Sequence, residues 1–366
     1  MVKLCLTGDV MCGRGVDQIL AHPGDPRIDE QWLRSAVGYV ELAEERSGPI
    51  PRGVPPRYVW GDLLPEIDVI ALDAFVVNLE TAVTDRGAPW PGKGIQYRMH
   101  PANVDVLSAA GIDVAVLANN HVLDWSVPGL EQTLDTLRAA GLATAGAGRT
   151  DDEAWMPAVV DRPSGSRTLV VAAGTTSSGI PPDWDAGHGR PGVAMLADLS
   201  ETQVERIAGL VRESARPGDV VVASLHWGGN WGHRIPPEHR RFAHALIERA
   251  GVHVVHGHSS HHPLGIEVHR GRLILYGCGD LLTDYEGIGG HGEYRGDLGA
   301  LYVAGIDPTS GLVQDLTLVP SKVERFRLTR PSVDDIEWLA TTLTREGSAL
   351  GTAVGVGDDG LLHLRW

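Results

Sequence analysis

The sequence predicts an α/β protein made of one large domain. The chain has 366 residues, of which 43% are hydrophobic, so it can bury a sizeable core. Short apolar runs rich in β-branched residues, such as "TLVVAAG" (168–174), alternate with segments such as 200–214 whose apolar residues recur at helical spacing. This alternation is typical of strands and helices that succeed one another in a sheet protein.

The apolar runs predict strands that are largely buried. They lie at residues 2–10, 67–80, 111–121, 168–174, 218–228, 251–258 and 272–280. Helices are expected between them, and several of these segments begin with Pro or Ser and end near Gly, as helix ends do. The expected helices are 101–110, 129–140, 200–214 and 236–250, followed by an amphipathic helix at 332–350.

The chain shows neither an internal repeat nor a low-complexity linker, which favours a single domain. We expect this domain to span residues 1–330, with an insertion at 21–62 that is rich in Pro, Gly and charge. Residues 331–366 are expected to form a helical tail packed on the same domain. Two long loops, 175–192 and 284–297, are of a length that is often functional.

Composition argues against several classes of binding partner and cellular location. A net charge of −16 without any Lys/Arg-rich run argues against nucleic-acid binding. Three cysteines do not describe a disulfide framework and suit a reducing compartment. "MVKLCLTGDV" does not resemble a signal peptide, and no segment approaches the roughly 20 apolar residues of a membrane span. We therefore expect a cytoplasmic protein without a membrane span, whose oligomeric state the sequence does not reveal.

Polar residues cluster where the expected strands end. Because the carboxyl ends of strands in an open α/β sheet line the ligand crevice, these residues should meet on one side of the molecule. They are Asp9, Asn78, Glu80, Asn119, Asn120, His121, His226 and the histidines of "HGHSSHH" (256–262).

Each of these residues also has an ordinary structural explanation. Asp9 could cap a turn, Glu80 could be an exposed strand-end carboxylate, and "ANNH" (118–121) could be a simple turn. His226 could be a core histidine bonded to the backbone. For "HGHSSHH" the alternative is a solvated loop, but four imidazoles after a buried strand favour metal binding.

Together the side chains offer two carboxylates, an amide oxygen and several imidazoles. This donor set suits Mn²⁺, Zn²⁺ or Fe²⁺ and lacks the thiolates of a structural zinc site. One or two such ions per chain are expected; a pair about 3.5–4 Å apart, bridged by a carboxylate, would activate a water molecule. A histidine beside the pair that binds no metal would serve as general acid or base.

Five segments in order resemble a known family. They are "LTGDVMCGRGV", "VVNLETAVTDRG", "LANNHVLDWSVPGLEQTLDTLRAAGLATAGAG", "SLHWGGNW" and "VVHGHSSHHPLGIEVHRGRLILYGCGDLLTDY", within residues 2–305. The chain resembles the CapA family of poly-γ-glutamate capsule synthesis proteins, a branch of the calcineurin-like metallophosphoesterase superfamily. The resemblance implies a metallophosphoesterase-like four-layer αββα sandwich with mixed β-sheets.

The resemblance also implies roles for the strand-end residues. Glu80 would bridge the two metals with Asn78 supporting it, and His121 would be the catalytic imidazole that protonates a leaving group. His256 and His262 are lesser candidates. The implied metal ligands are Asp9, Glu80, Asn120, His226, His258 and His261, of which His261 would bind the first metal and His258 the second.

The sequence departs from the superfamily in its first motif, which is usually D-x-H. Here the motif is Asp9-Val10-Met11, so the first metal lacks an imidazole. The residues expected to replace it from nearby strand ends are His262, Asp280 and Cys278, although Cys12 and Cys278 are more simply explained as packed thiols. We also expect no N-terminal membrane anchor of the kind that many CapA proteins have.

Substrate recognition is predicted from residues in or beside the site loops. Charged residues there could meet phosphate or carboxylate groups, and aromatic residues could form a wall of the pocket. Such charged residues are more often solvated surface charges, and the tryptophans could be core aromatics. The candidates are Asn78, Arg14, Lys93, Arg98, Trp227 and Asp280, with Arg234 and Trp231 nearby.

These observations predict a metal-dependent hydrolase. A metal-activated water would attack a phosphoester or a γ-glutamyl or peptide-type amide, in a small anionic, peptide or γ-glutamyl substrate. The alternative is a non-catalytic accessory subunit of a polymer-synthesis or export complex, favoured by loss of the D-x-H histidine. A sugar- or anion-binding module is a third possibility, distinguished by ligand binding that persists after chelation.

Overall fold

The computed structural model describes residues 1–162 and 165–366. Within these residues the helices are α1 (Arg14–Asp17), α2 (Val37–Ser47), α3 (Leu64–Val69), α4 (Asp105–Ser108), α5 (Ser126–Ala139), α6 (Asp151–Ala154), α7 (Glu201–Ser214), α8 (Pro237–Arg249) and α9 (Val333–Gly347). The strands are β1 (Val2–Val10), β2 (Ala74–Leu79), β3 (Ala82–Val83), β4 (Arg98–Met99), β5 (Val114–Val116), β6 (Ala143–Ala145), β7 (Ala147–Gly148), β8 (Ala158–Asp161), β9 (Arg167–Gly174), β10 (Gly192–Val193), β11 (Val220–His226), β12 (Val254–His258), β13 (Ile266–His269), β14 (Arg272–Leu275), β15 (Asp280–Leu282), β16 (Leu298–Ile306), β17 (Val313–Glu324), β18 (Arg327–Thr329), β19 (Ala353–Val356) and β20 (Leu362–Arg365).

The larger of the two main sheets has strand order β19-β20-β17-β16-β1-β2-β5-β6, with β15 beside β1 and β18 beside β17. Strands β1, β2, β5 and β6 are parallel, whereas pairing from β1 through β16 to β20 is antiparallel. The sheet is therefore mixed. Strand β1 lies inside it and is buried almost throughout, as its continuous apolar sequence predicts.

The second main sheet has strand order β13-β14-β12-β11-β9-β8. Its four central strands are parallel, and antiparallel strands form both edges. Helix α7 precedes β11 and helix α8 connects β11 to β12, so each lies in a crossover between parallel strands.

The two sheets face each other across one continuous apolar core. Leu4 of β1 and Val222 of β11 belong to this core, which also includes Leu134 of α5. On the opposite face of the second sheet, Val221 packs with Ile207 of α7 and Leu246 of α8 in a separate apolar layer. The αββα sandwich with mixed β-sheets is thereby confirmed.

Strand register places the polar residues side by side. Asp9 of β1 is opposite Asn78 of β2 on one side and Asp280 of β15 on the other, and His226 of β11 is opposite His258 of β12. Gly8 allows β1 and β15 to come this close, because a Cβ atom there would lie 1.6 Å from the carbonyl oxygen of Gly279.

Three predicted elements differ from the structure. The run 67–80 is divided, because α3 ends at Val69 and β2 starts only at Ala74. The run 272–280 contains the end of one sheet and the start of the other, since β14 ends at Leu275 and β15 begins at Asp280. The C-terminal tail contains the expected helix α9, but it continues into the hairpin β19–β20, which pairs with β17.

Candidate metal centre

Two groups of metal-ligand side chains meet at Asp9. In one group, single ligand atoms of Asp9, His226 and His258 lie within 4.8 Å of one another. In the other, the same holds for Asp9, His261 and Asp280. All five side chains are buried, and they come from β1, β11, β12, β15 and the loop after β12. Side chains distant in sequence thus form a single centre, and Asp9 is common to both halves.

Asn78 organises the carboxylates at one end of this centre. Its Nδ2 donates to Asp9 Oδ1 at 2.7 Å and to Glu80 Oε2 at 2.8 Å. Burial and the nearby Asp280 raise the pKa of Asp9 to about 7, and burial together with Asp9 raises the pKa of Glu80 well above its usual range. Burial and mutual repulsion therefore outweigh the nearby His261 and Lys93, which lower the pKa values of Asp9 and Glu80 respectively.

Asp280 and His261 form a buried pair on the other side of Asp9. Asp280 Oδ1 lies 2.9 Å from His261 Nδ1. Burial alone would lower the pKa of His261, but the Asp280 carboxylate outweighs it and the net shift is upward. Asp280 occupies the strand position beside Asp9. Three residues were predicted to replace the missing D-x-H imidazole, and of these only Asp280 belongs to one of the two ligand groups described above.

The imidazoles of the other half lie in direct contact. His226 Nδ1 is 2.8 Å from His258 Nδ1, and His226 Nε2 is 3.0 Å from Asn120 Oδ1. Burial lowers the pKa of both rings well below the usual value. They are therefore neutral at pH 7, which is the form in which imidazole binds a metal.

The donor set fits divalent cations. Asp9 Oδ2 and Asp280 Oδ2 are buried, and neither has a hydrogen-bond partner in the part of the chain that the structure describes. A buried carboxylate oxygen without a partner is costly, and a cation would satisfy it. Three buried carboxylates with raised pKa values, beside neutral imidazoles, supply the negative charge and lone pairs that such an ion requires.

His121 lies beside the carboxylates with one nitrogen already engaged. Its Nδ1 is 2.7 Å from Asp124 Oδ2, and its Nε2 is 3.8 Å from Glu80 Oε1. Since a carboxylate only accepts, Nδ1 carries the proton and Nε2 of the neutral ring has a lone pair. Burial and the neighbouring Lys93 lower the pKa of His121 to about 4.

Lys93 connects His121 to the solvent side of the site. Its Nζ lies 2.6 Å from Asp124 Oδ1 and 3.1 Å from His121 Nδ1. A cavity of about 260 Å³ opens here, lined by Glu80, Lys93, Gly94, Ile95, Asn120, His121, Asn230, Ser259, His261 and Tyr285. A second cavity of about 340 Å³ shares Lys93 and Gly94 with it and extends past Trp90.

Comparison with known proteins shows to which family the chain belongs. A family model described as bacterial capsule synthesis protein PGA_cap matches residues 3–285. The chain belongs to this family. A probable polyglutamine synthesis accessory protein of Mycobacterium tuberculosis is 45% identical over 365 residues, covering 100% of this chain and 96% of that protein.

More distant similarities were also found. The PGA biosynthesis protein CapA of Bacillus subtilis is 27% identical over 285 residues, covering 78% of this chain and 64% of that protein. A phosphatase structure from Mycoplasma pneumoniae aligns with a TM-score of 0.47 and 11% identity, covering 87% of this chain and 92% of that chain. Of the helices within residues 1–162 and 165–366, none has the length and apolarity to cross a bilayer.

Two residues of this PGA_cap protein that were predicted to contact substrate are engaged by other parts of the protein. The buried Arg14 donates to Asp284 at 2.5 and 2.7 Å and to Glu30 at 3.3 Å, so its donors are directed to these two carboxylates. Arg98 stacks over Trp125 and donates to a backbone carbonyl. These are structural contacts, which sequence alone does not distinguish from substrate contacts.

Of the two tryptophans predicted to form a wall of the pocket, one is packed in the core and the other lies near the centre. Trp227 is 3% exposed, stacks on His239 and donates to the Tyr276 carbonyl at 3.0 Å. Trp231 does lie near the centre, with its ring centroid 5.2 Å from that of His261.

The lesser ligand candidates are engaged with other groups. His256 contacts the Thr7 carbonyl oxygen and Ser224, and His262 Nε2 accepts from the Gly232 amide at 3.1 Å. Cys12 and Cys278 are buried free thiols whose pKa values burial raises. Neither thiol belongs to a ligand group found among the described residues.

The structure adds residues that the sequence reasoning missed. Asp124 contacts His121 directly, and its position three residues later in "HVLD" was an available signal. Ser224 lies between two histidines, and Tyr285 lines the cavity. Neither of these two had a sequence signal, because their roles depend on strand pairing and loop placement.

A third ligand-type group lies apart from the centre. It contains His244, Glu267 and His269. Glu267 already accepts from Arg240 at 2.9 Å and from Tyr276 at 2.6 Å, so its oxygens have partners without a cation. We regard it as a structural charge cluster.

Proposed function

We propose that this PGA_cap protein is a metal-dependent hydrolase that acts on a phosphoester or on a γ-glutamyl or peptide-type amide. The observation that carries the proposal is the pair of ligand groups that share Asp9 beside an open cavity containing His121. A structural metal site would be closed on all sides, whereas a catalytic one keeps access for substrate.

In this proposal Asp9, His226, His258 and Asn120 would hold one cation, and Asp9, His261 and Asp280 would hold the other. Asp280 takes the place of the imidazole that the D-x-H motif would supply. Glu80 was expected to bridge the ions, but Asp9 is the carboxylate common to both groups, so we assign the bridging position to Asp9. When bound, the cations would polarise the scissile group and make a water molecule more acidic.

His121 is proposed to move the proton that hydrolysis requires. Asp124 holds the ring through Nδ1, which leaves Nε2 free to exchange a proton with a group in the cavity. Lys93, also at the cavity, offers a positive charge to an anionic substrate and is itself held by Asp124. The name of the relative that refers to PGA biosynthesis supports a substrate with glutamyl groups, whose carboxylates Lys93 would suit.

A substrate screen combined with one substitution tests the proposal. Purified protein is assayed on chromogenic phosphoesters and γ-glutamyl amides, with and without added Mn²⁺. We expect Mn²⁺-dependent turnover of one class. His121→Gln should lower kcat by roughly 10²–10⁴-fold, the usual contribution of general acid–base catalysis, while the bound metal stays unchanged. Full activity in His121→Gln would rule out the proposed proton carrier.

A second candidate function is that of an accessory subunit without catalysis. It is favoured by the name of the relative that is 45% identical, a probable polyglutamine synthesis accessory protein. Less than one divalent ion per purified chain, together with no activation by Mn²⁺, would favour this alternative over the hydrolase.

A further inference from the structure

A line of buried polar side chains leads from the backbone of β1 to the candidate metal centre. It starts at the Thr7 carbonyl oxygen, which lies 2.7 Å from His256 Nε2. His256 Nδ1 is 3.0 Å from Ser224 Oγ, and Ser224 Oγ is 3.0 Å from His258 Nε2. His258 Nδ1 then contacts His226. The ligand His258 is therefore attached to β1 through two residues, Ser224 and His256, that have no assigned role.

Strand register explains why these groups line up. Ser224 is opposite His256, and two residues further along the same strands His226 is opposite His258. Because alternate residues of a strand face the same side, the two pairs lie one above the other on one face of the sheet. The pair Ser224–His256 forms the layer beneath the pair of ligands.

The hydrogen-bond directions along this line can be deduced from its fixed end. A carbonyl oxygen only accepts, so His256 Nε2 must donate to Thr7. Both partners of His256 are neutral and the ring is fully buried, which favours a neutral ring whose Nδ1 accepts. Ser224 then donates its single hydroxyl proton to His256.

With its proton committed, Ser224 Oγ can only accept from His258. His258 Nε2 therefore carries a proton, and in the neutral ring Nδ1 holds the lone pair. In this tautomer His258 Nδ1 lies 2.8 Å from His226 Nδ1, which also holds a lone pair because His226 Nε2 donates to Asn120 Oδ1, and a bound cation would satisfy both lone pairs. With the cation bound, the other tautomer of His258 would place two lone pairs opposite each other at Ser224, an unsatisfied buried contact that costs about 1–3 kcal/mol. That cost corresponds to a preference of roughly five- to 150-fold for the first tautomer in the cation-bound protein.

We infer that Ser224 and His256 are positioning residues that hold His258 in the tautomer with its proton on Nε2, so that Nδ1 is the atom offered to the cation. The inference rests on the proposed function, since it assumes that His258 binds a metal. Partners of this kind around a metal-binding histidine typically change metal affinity by about 10–100-fold when they are removed. The effect should be confined to the cation that His258 binds.

Zinc affinity of a matched pair of serine variants tests this inference. Ser224→Ala removes the hydroxyl that links the two histidines. Ser321→Ala is the control, because Ser321 is equally buried but its Oγ has no partner among the described residues and lies on β17. Zn²⁺ binding to the full chain is measured by competition with a chelator of known affinity.

We expect two Zn²⁺ ions in the wild-type protein. Ser224→Ala should bind one of them 10–100-fold more weakly and leave the other within about twofold, a change in affinity of the size seen when such partners are lost. Ser321→Ala should bind both as the wild type does. Unchanged affinities in Ser224→Ala, or equal weakening in both variants, would overturn the inference and leave the proposed function standing. Wild-type protein that binds no Zn²⁺ would instead overturn the proposed function, and the inference with it.

A measurement on the wild-type chain covers the case in which Ser224→Ala does not fold. Long-range ¹H–¹⁵N correlations of Zn²⁺-loaded, ¹⁵N-histidine-labelled protein report which ring nitrogen carries the proton, and the His258 signals are identified by their loss in His258→Gln. A proton on Nε2 of His258 supports the inference. A proton on Nδ1 contradicts it.

Discussion

Asp124 illustrates how one buried carboxylate determines the chemistry of its neighbour. It accepts from His121 Nδ1, receives the Tyr97 amide at 2.6 Å and pairs with Lys93. These contacts fix the ring and its proton, so the lone pair of neutral His121 lies on Nε2.

Replacing Asp124 by Asn should therefore impair catalysis without removing metal. Because an amide can donate to Nδ1 and stabilise the wrong tautomer, we expect kcat to fall by roughly 10²–10⁴-fold, with KM and metal content little changed. Steady-state kinetics on the substrate class found in the screen would measure this. Asp183→Asn, at an exposed position, is the control and should match the wild type. A kcat above half the wild-type value in Asp124→Asn would show that His121 does not depend on it.

His253 provides a pH-dependent prediction away from the metal centre. Burial, and then Arg272, lower its pKa from 6.5 to about 4, and its Nδ1 accepts from the Val221 amide at 3.1 Å. Because the folded pKa is below the unfolded one, folding favours the neutral ring. The stabilisation is complete above pH 6.5 and is lost as the pH falls from 6.5 towards 4.

The corresponding experiment compares wild type with His253→Asn, which keeps an acceptor near the Nδ1 position but does not titrate. Between pH 7 and pH 5 the free energy of unfolding of the wild type should fall by about 1–2 kcal/mol more than that of the variant. Urea unfolding at the two pH values measures the difference. Equal losses would mean that His253 is not held neutral by the fold.

Sequence reasoning at the scale of residues predicted the candidate ligands better than the residues that contact them. Asp9, His226 and His258 follow apolar runs, so their position at strand ends could be read directly. Arg14 could not be interpreted correctly, because its partners Asp284 and Glu30 become neighbours only in the folded chain. The shared position of Asp9 likewise depends on the pairing of β1 with β15, which no local pattern encodes.

At the scale of elements, helix α9 shows that a local sequence signal can be sufficient to predict a helix. Ser332 accepts from the Asp335 amide and Asp335 accepts from the Ser332 amide, which forms a capping box at the helix start. The expected helix at 332–350 is present as α9 for this reason. The hairpin β19–β20 was missed because its strands are short and are stabilised by pairing with β17.

Two N-cap serines allow this capping bond to be measured. Ser332→Ala removes it, and we expect a loss of about 1 kcal/mol in the free energy of unfolding. Ser200 is the N-cap of α7 but makes no side-chain capping bond, so Ser200→Ala should cost clearly less. Chemical denaturation of both variants gives the comparison. Equal losses would show that the capping bond of Ser332 contributes nothing specific.

At the scale of the whole molecule, the centre forms where two sheets meet. Asp9, Asn78 and Asp280 come from the first sheet, and His226 and His258 come from the second. Alternation of strands and helices predicted the layers, but it could not predict that these particular strand ends would face one another. The family resemblance supplied that arrangement, since the order of its motifs along the chain implies a known sandwich.

A centre built from both sheets should stabilise the entire fold when cations bind. Binding at 100 times the dissociation constant adds about 2.7 kcal/mol to the free energy of unfolding. We therefore expect Zn²⁺ or Mn²⁺ to raise the Tm of the chelator-treated protein in a concentration-dependent way. The third ligand-type group, around Glu267, supplies a control: Glu267→Gln should preserve the shift. A Tm that does not respond to either ion would contradict binding to the folded state.

The most direct test of the centre is the metal content of the wild type and of Asp9→Asn, measured by elemental analysis after loading and desalting. Two divalent ions per chain are predicted for the wild type. Because Asp9 belongs to both ligand groups, the variant should retain less than one. A wild-type chain with no bound ion, or an Asp9→Asn chain that keeps both, would contradict a centre joined by Asp9.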